Sequence, residues 1–371
     1  MSNDNNIWVE KYRPSKIQDI SNQLEIKIFL DGAIKDKNIP HLLLYGLPGT
    51  GKTTITNILL KRLYSYKKSN FPKWTKLQFF EETKKLRSDR ILSLNASDDR
   101  GIKIVREKIK SFASLSVVHH EKDQDIPPFK IIVLDEADAL SSDSQFALRR
   151  IIEKYSHSTR FILICNYVTK IISPLASRCS KFRFLPIGYE ESKLSIENIL
   201  SKEKLVSNIP DDVYTYIYQY TNGDMRKTIT LIQRLSYVTK FSDINIDIVR
   251  DTIGEISPEI INHTIYLLNE PISNDNQMKI YMTVNKLITN GYNCLFLINH
   301  LYYHYLNDKN ISDIKKQQII AKLSDTDSKL NNGSIEIIQT LDFLMTINGI
   351  INNYKYEYLY NPFTVLAKEV K

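Results

Sequence analysis

Cysteine is nearly missing from this chain: Cys165, Cys179 and Cys294 are the three in 371 residues. Three scattered thiols make neither a disulfide framework nor a zinc site, so a reducing compartment is expected, with Cys165 a small core residue. Long apolar runs are absent as well. No stretch approaches the 18 or so residues of a membrane span, and the opening MSNDNNIWVEKYRP has no signal-peptide core. The expectation is an intracellular protein without a membrane. No internal repeat and no low-complexity linker separates the parts, so they are expected to meet through short, ordered connections. Acidic charge is outweighed, 42 Asp and Glu against 50 Lys and Arg, a net +8 that permits a polyanionic partner without demonstrating one. What remains is ordinary for a folded protein, 42% hydrophobic and 25% charged, and the length suggests two or three domains.

Glycine is scarce too, 11 residues, and this makes its one cluster informative: Gly46, Gly49 and Gly51 fall within the stretch HLLLYGLPGTGKTT at residues 41–54. The stretch fits the phosphate-loop pattern G-x-x-x-x-G-K-[ST], through Gly46, Leu47, Pro48, Gly49, Thr50, Gly51, Lys52 and Thr53, with Thr54 following. Such a loop turns backbone N–H groups inward around phosphate oxygens, in conformations that a side chain obstructs. The helix beginning near Gly51 adds its positive end. Lys52 is placed to neutralise the β- and γ-phosphates, and the Thr53 hydroxyl to hold magnesium. The loop predicts a nucleotide site with Mg2+.

Around it the pattern is that of alternating strands and helices. Residues 42–45, 91–94, 131–134, 161–165 and 181–184 read as five strands, the first of them buried, and their alternation with helices predicts a mostly parallel sheet. The third ends in Asp135-Glu136-Ala137-Asp138. Carboxylates at a strand's C-terminal end sit where ligands gather in open parallel sheets. Asp135 is placed to hold magnesium, Glu136 to polarise the water that attacks the γ-phosphate. Residues 8–14 read as an extended aromatic arm, and Ser142-x-x-Gln145 as a capping box for a helix running to about Tyr155. In the helix that follows the second strand, Arg100, Lys103, Arg106 and Lys110 share one stripe, and Ile102, Val105, Ile109 and Phe112 share another. Such a basic stripe suits a nucleic acid or merely faces water. The stretch 65–90, with eight basic and three acidic residues among its aromatics, reads as a surface insertion that those aromatics anchor. Beyond Pro186 the pattern turns helical, with three helices between residues 190 and 237 and helix again from 244 onward.

Together, Trp8-Val9-Glu10-Lys11-Tyr12-Arg13-Pro14, the phosphate loop, residues 94–101, residues 134–138, Ala147-Leu148-Arg149-Arg150, Ser177-Arg178-Cys179 and Gly223-Asp224-Met225-Arg226 resemble one family closely. It is the small subunits of replication factor C, the AAA+ sliding-clamp loader. The resemblance covers about the first 235 residues well, and the helical remainder in general character. It implies an α/β AAA+ core over residues 1–186, a helical lid over 187–240 and an all-helical collar for oligomerisation over 241–371. It also implies roles: Val9, Tyr12 and Arg13 at the adenine and ribose end of the pocket, Asn166 as a first sensor of the γ-phosphate, Arg226 as a second sensor from the lid. Arg178 resembles an arginine finger acting on a neighbouring subunit's ATP. The helix after Arg100 would face DNA inside a spiral of five subunits. The implied partners are other clamp-loader subunits in a heteropentamer, a sliding clamp of the proliferating cell nuclear antigen type and primer-template DNA. The implied place is the nucleus of a eukaryotic cell, or otherwise the cytoplasm or a viral replication site. Two departures stand out: the insertion is longer than is usual in the family, and Asp19-Ile20-Ser21-Asn22 replaces the common Asp-Ile-Val-Gly. Two other readings share the motifs. One is a different AAA+ DNA motor. The other is a clamp-loader subunit serving mainly as scaffold and finger donor, against which intact Lys52, Asp135 and Glu136 argue.

Overall fold

Side chains alternate in and out along each strand, and here both faces of every central strand are apolar. Leu42 and Leu44 point into one cluster with Ile131, Val133, Ile162 and Ile164. Leu43 points into another with Ile132, Leu134, Phe161 and Leu163. A strand buried on both faces requires helices on both, which is the condition for a parallel sheet. The computed structural model describes residues 7–20, 23–66, 70–97, 102–117, 123–205, 209–238 and 244–354, without the side chains of Gln18 and residues 102–106. Their chain divides into two units, Met1–Ile244 and Asn245–Lys371.

The first unit opens with α1 (Trp8–Lys11) and α2 (Leu24–Asp36), followed by β1 (Leu42–Gly46), α3 (Lys52–Leu63), α4 (Lys76–Arg90), β2 (Ile91–Asn95) and α5 (Ile102–Ser114). It continues with β3 (Lys130–Asp135), α6 (Ser142–Tyr155), β4 (Thr159–Cys165), α7 (Ser173–Ala176) and β5 (Ser180–Phe184). The five strands pair in the order β2-β3-β4-β1-β5, all parallel. Helices α2, α3 and α4 cover one face through Leu30, Ile58 and Leu86, while α5, α6 and α7 cover the other through Ile109, Leu148 and Leu175. Because the strands run the same way, the C-terminal ends of β1, β3 and β4 share one edge, and adjacent strands bring them within about 5 Å steps of one another. That edge carries the phosphate loop, Asp135 and Asn166. Three helices complete the unit: α8 (Tyr189–Lys202), α9 (Asp211–Thr221) and α10 (Met225–Val238).

Two details differ from the sequence reading. Residues 8–11 form one helical turn rather than an extended arm, because Trp8 is buried and its N–H donates to Gln233 Oε1 of α10 at 3.0 Å. The cap of α6 is Ser141, whose side chain accepts from Ser144 N, and Gln145 takes no part in it. Gln145 is buried, donating to Leu140 O and Lys170 O and accepting from Ile172 N at 2.8 Å. A tertiary use outcompetes the local capping rule because one buried amide satisfies three backbone groups of two separate loops at once.

The insertion is anchored as expected. Phe71 and Trp74 stack with centroids 4.1 Å apart, Tyr66 meets both edge-on, and the group packs on the core beneath α4. Thr75 and Gln78 close a true capping box at the start of α4.

The second unit is helical among its described residues: α11 (Ile246–Ile253), α12 (Pro258–Asn269), α13 (Asn274–Thr289), α14 (Cys294–Asn307), α15 (Asp313–Asn331) and α16 (Glu336–Ile351). Its core joins Leu268, Val284, Leu301, Ile319 and Phe343, one from each of α12 to α16.

Candidate nucleotide site

The loop between β1 and α3 takes the backbone shape that its glycines allow. Gly46 has φ 147°, and a Cβ there would lie 2.3 Å from Phe184 O of β5. Gly49 has φ 70°, and its Cβ would fall 1.7 Å from Asp224 Oδ1, at the start of α10. Neither position tolerates a side chain, so the loop can lie flat against β5 and against α10 at once.

Lys52 opens α3 and is buried, with Nζ donating to Gly46 O and Leu47 O at 2.7 Å each. Burial pushes its pKa down, while Asp135 and Asp138 pull it back up and Arg226 adds to the lowering. The Thr53 hydroxyl donates to Asp135 Oδ2 at 2.9 Å, and Asp135 Oδ1 accepts from Glu136 N at 3.0 Å. An aspartate and a threonine oxygen side by side at the edge of a phosphate loop are hard ligands of the kind magnesium prefers. The donor set therefore fits that ion. Glu136 sits in the left-handed region, φ 54° and ψ 39°, which turns its exposed carboxylate out of the strand and toward the cavity it lines.

That cavity has a volume of about 570 Å³, within the range of small-molecule sites. Its walls bring together Val9, Tyr12 and Arg13 from the arm, Pro48 to Thr54 from the loop, Asp135, Glu136, Asn166, and Arg226 from α10. Gly46 and Leu47 are not on its wall; they contribute through the carbonyls that hold Lys52. The arm is tied on two sides. Arg13 Nε donates to the Thr54 hydroxyl at 3.1 Å, and Lys11 Nζ pairs with Glu203, just beyond α8, at 2.6 Å. Tyr12 OH donates to the same Glu203 carboxylate. Lys52 and Arg226 line the cavity together with the apolar Ile20, Ile187 and Ile229. A lining that mixes cations with apolar side chains suits a ligand that has both anionic and less polar parts.

Comparison with known proteins agrees along the chain. The family described as "ATPase family associated with various cellular activities (AAA)" matches residues 42–187, and the "Replication factor C C-terminal domain" matches residues 256–346. Replication factor C subunit 2 of Saccharomyces cerevisiae is 38% identical over 347 residues, covering 92% of this chain and 93% of its own. Replication factor C subunit 4 of Homo sapiens is 38% identical over 341 residues, covering 92% and 87%. Replication factor C small subunit 1 of Pyrobaculum islandicum is 35% identical over 344 residues, covering 92% and 94%. This chain belongs to the replication factor C family. It is an AAA+ ATPase, and the clamp-loader reading of its motifs now extends over both units.

Within this replication factor C chain, two of the expected residues, Arg178 and Lys110, do not line the cavity. Arg178 follows α7 and is half-buried, with Nη1 donating to Pro174 O at 2.6 Å and its guanidinium paired to Glu153 of α6. The Glu153 carboxylate also accepts from Arg149 Nε at 3.0 Å, and both arginines hold its pKa below the usual range. On α5, Lys110 is exposed while Ile109 and Phe112 pack inward, in keeping with the two-stripe pattern. Lys103 and Arg106 lie on the same helix with their side chains outside the description, and Arg100 and Ser21 lie outside the described residues. Sequence reasoning missed Glu203, Gln233 and the side-chain roles of Asp138 and Asp224. Nothing in the local spacing of Glu203, Gln233 and Asp138 marks them, since each acts on a residue far away in the chain, whereas Asp224 caps α10 locally, two and three residues before Arg226 N and Lys227 N. Among the described residues no helix is long and apolar enough to cross a membrane.

Proposed function

We propose that this chain is a catalytically competent clamp-loader ATPase, with the 570 Å³ cavity as its ATP site. The observation that carries the reading is convergence: loop, acidic strand end, β4 tip and α10 arginine line one space although they come from residues 48 to 226. Val9, Tyr12 and Arg13 hold the base and ribose, and residues 46–54 hold the phosphates. Lys52 and Arg226 offset charge on the terminal phosphates. Thr53 and Asp135 would hold Mg2+, which supplies charge neutralisation at the β- and γ-oxygens. Glu136 takes a proton from the attacking water, and Asn166 orients that water or the γ-phosphate. Nothing covalent is required of the protein, so its contribution is positioning and charge.

The division of labour follows the expected boundaries: an AAA+ core over 1–186, a lid over 187–240 and a collar over 241–371. In an assembly of related subunits, Arg178 serves the neighbour's ATP, and Arg100, Lys103, Arg106 and Lys110 face the phosphates of primer-template DNA. The assembly is a heteropentamer that opens a clamp of the proliferating cell nuclear antigen type, and in a eukaryotic cell it works in the nucleus. The test is the pair Lys52→Ala and Glu136→Gln in the assembled complex. Lys52→Ala should abolish ATP binding, and Glu136→Gln should bind ATP but stall hydrolysis on clamp and primed DNA. Normal turnover in Glu136→Gln removes that carboxylate from the chemistry. An ATPase that runs equally fast without clamp and primed DNA favours a different AAA+ motor.

A further inference from the structure

Asp138 helps keep Lys52 charged but was given no other part in the nucleotide chemistry above, yet it is firmly engaged. The left-handed turn at Glu136 reverses the chain, and the buried Ala137 anchors the short 3-10 turn Ala137–Ala139 against the sheet. Asp138 is thereby carried back to the tip of β4, where Oδ2 accepts from Asn166 N at 3.2 Å and from Tyr167 N at 3.1 Å. These two N–H groups sit where the sheet stops helping. The last β3–β4 pair is Leu134 with Leu163, and the last β1–β4 pair is Tyr45 with Cys165. Beyond them the backbone of Asn166 and Tyr167 has run out of strand partners. One carboxylate oxygen takes the place of the missing neighbour and accepts both N–H groups at once. The bonds also link the turn that bears Glu136 to the residue whose side chain lines the same cavity.

We propose that Asp138 is a positioning residue for hydrolysis, holding the β4 tip so that the Asn166 carboxamide meets the terminal phosphate or its attacking water. The proposal rests on the reading of Asn166 given above. It differs from a folding role in what it predicts: Asp138 matters to the rate of the chemical step, through its acceptor oxygen, and only as long as Asn166 is present. Displacing a positioned group by about 1 Å costs up to roughly 10²-fold in rate.

The experiment uses the full chain in its native assembly, with ATP affinity and single-turnover hydrolysis measured separately. Asp138→Asn keeps an acceptor oxygen and should hydrolyse within about threefold of wild type. Asp138→Leu keeps the volume without the acceptor; it should bind ATP normally and hydrolyse about 10- to 100-fold more slowly. Asn166→Ala should be slow as well, and adding Asp138→Leu to it should slow it no further. If Asn166→Ala is slow while Asp138→Leu turns over normally, the positioning role is wrong and the reading of Asn166 survives. If Asn166→Ala turns over normally, the reading of Asn166 fails instead. If the two slow variants multiply, Asp138 acts by another route and the proposal is overturned. Should Asp138→Leu fail to fold, Asp138→Ala with amide exchange at residues 166–167 decides. Faster exchange with slowed hydrolysis supports the role, and faster exchange with unchanged hydrolysis refutes it.

Discussion

Replacing Gly49 by alanine should uncouple nucleotide binding from the rest of the fold, and the size of the effect can be worked from its neighbours. With φ 70°, an alanine here pays left-handed strain of roughly 1–2 kcal/mol. Its Cβ would also lie 1.7 Å from Asp224 Oδ1. A flexible carboxylate would ordinarily swing aside, but this one is buried and caps α10, accepting from Arg226 N at 2.9 Å and Lys227 N at 3.2 Å. Moving it sacrifices a helix cap, about 1 kcal/mol. The variant escapes both penalties by moving the loop or α10, and ATP must then rebuild the cradle. A deficit of about 2–3 kcal/mol corresponds to roughly 30- to 150-fold weaker binding. Titration of a fluorescent ATP analogue into the full chain measures it, with thermal unfolding alongside. Global stability should change little, because the variant relaxes locally. Asp224→Ala in the Gly49→Ala background should recover part of the affinity, since the collision is removed while the strain remains. Binding within twofold of wild type in Gly49→Ala would refute the reasoning about both the loop and its contact with α10.

Acid should destabilise the fold through His41. Burial, with help from nearby Arg160, pushes its pKa down to about 4, and its neutral Nδ1 accepts from Phe161 N at 3.1 Å. The unfolded chain binds a proton from about pH 6.5 downward and the folded one only near 4, so stability is flat above 6.5 and falls between 6.5 and 4. The full shift is worth about 3 kcal/mol, reduced to about 1–2 for a ring still partly in solvent. Urea midpoints at pH 7 and 5 test this, and an equal drop in His41→Gln would assign it elsewhere. Arg178→Ala should leave ATP binding at its own site within about twofold and folding stability little changed, because its bond to Glu153 is a partly solvated one. Hydrolysis at the adjacent subunit's site should fall by up to about 10³-fold, read by single-turnover kinetics in the assembly; loss confined to its own site refutes the finger. The three thiols should resist a disulfide reagent in the native state, since burial pushes Cys165 up to about 12 and Cys179 and Cys294 up to about 11. Prompt labelling of one thiol without denaturant would contradict that packing.

Much of the site was readable from the sequence because its chemistry is encoded in short spacings. A phosphate loop needs glycine, lysine and threonine within eight residues, and the acids of β3 need only follow an apolar run. Those constraints are local, so Gly46, Lys52, Thr53, Asp135 and Glu136 announce themselves. The alternation of strands and helices likewise foretold a parallel sheet. Strand order was another matter. Placing β1 between β4 and β5, and so Asn166 beside the loop, depends on which apolar faces fit together across more than a hundred residues. The arm shows the limit at small scale: residues 8–14 are too few for a periodic signal, and their helical turn follows from Trp8 meeting Gln233. Gln145 shows it again, where a capping pattern was overruled by loop groups 25 to 27 residues away. By itself the sequence determined the chemistry available at the loop and the strand end, since bonding geometry along a few residues suffices for that. Only the tertiary structure decided which distant side chains hold that chemistry in place. Asp138 on Asn166, Asp224 against Gly49 and Glu203 on Tyr12 are hydrogen bonds and close contacts that exist once packing has brought separate segments within about 3 Å of each other.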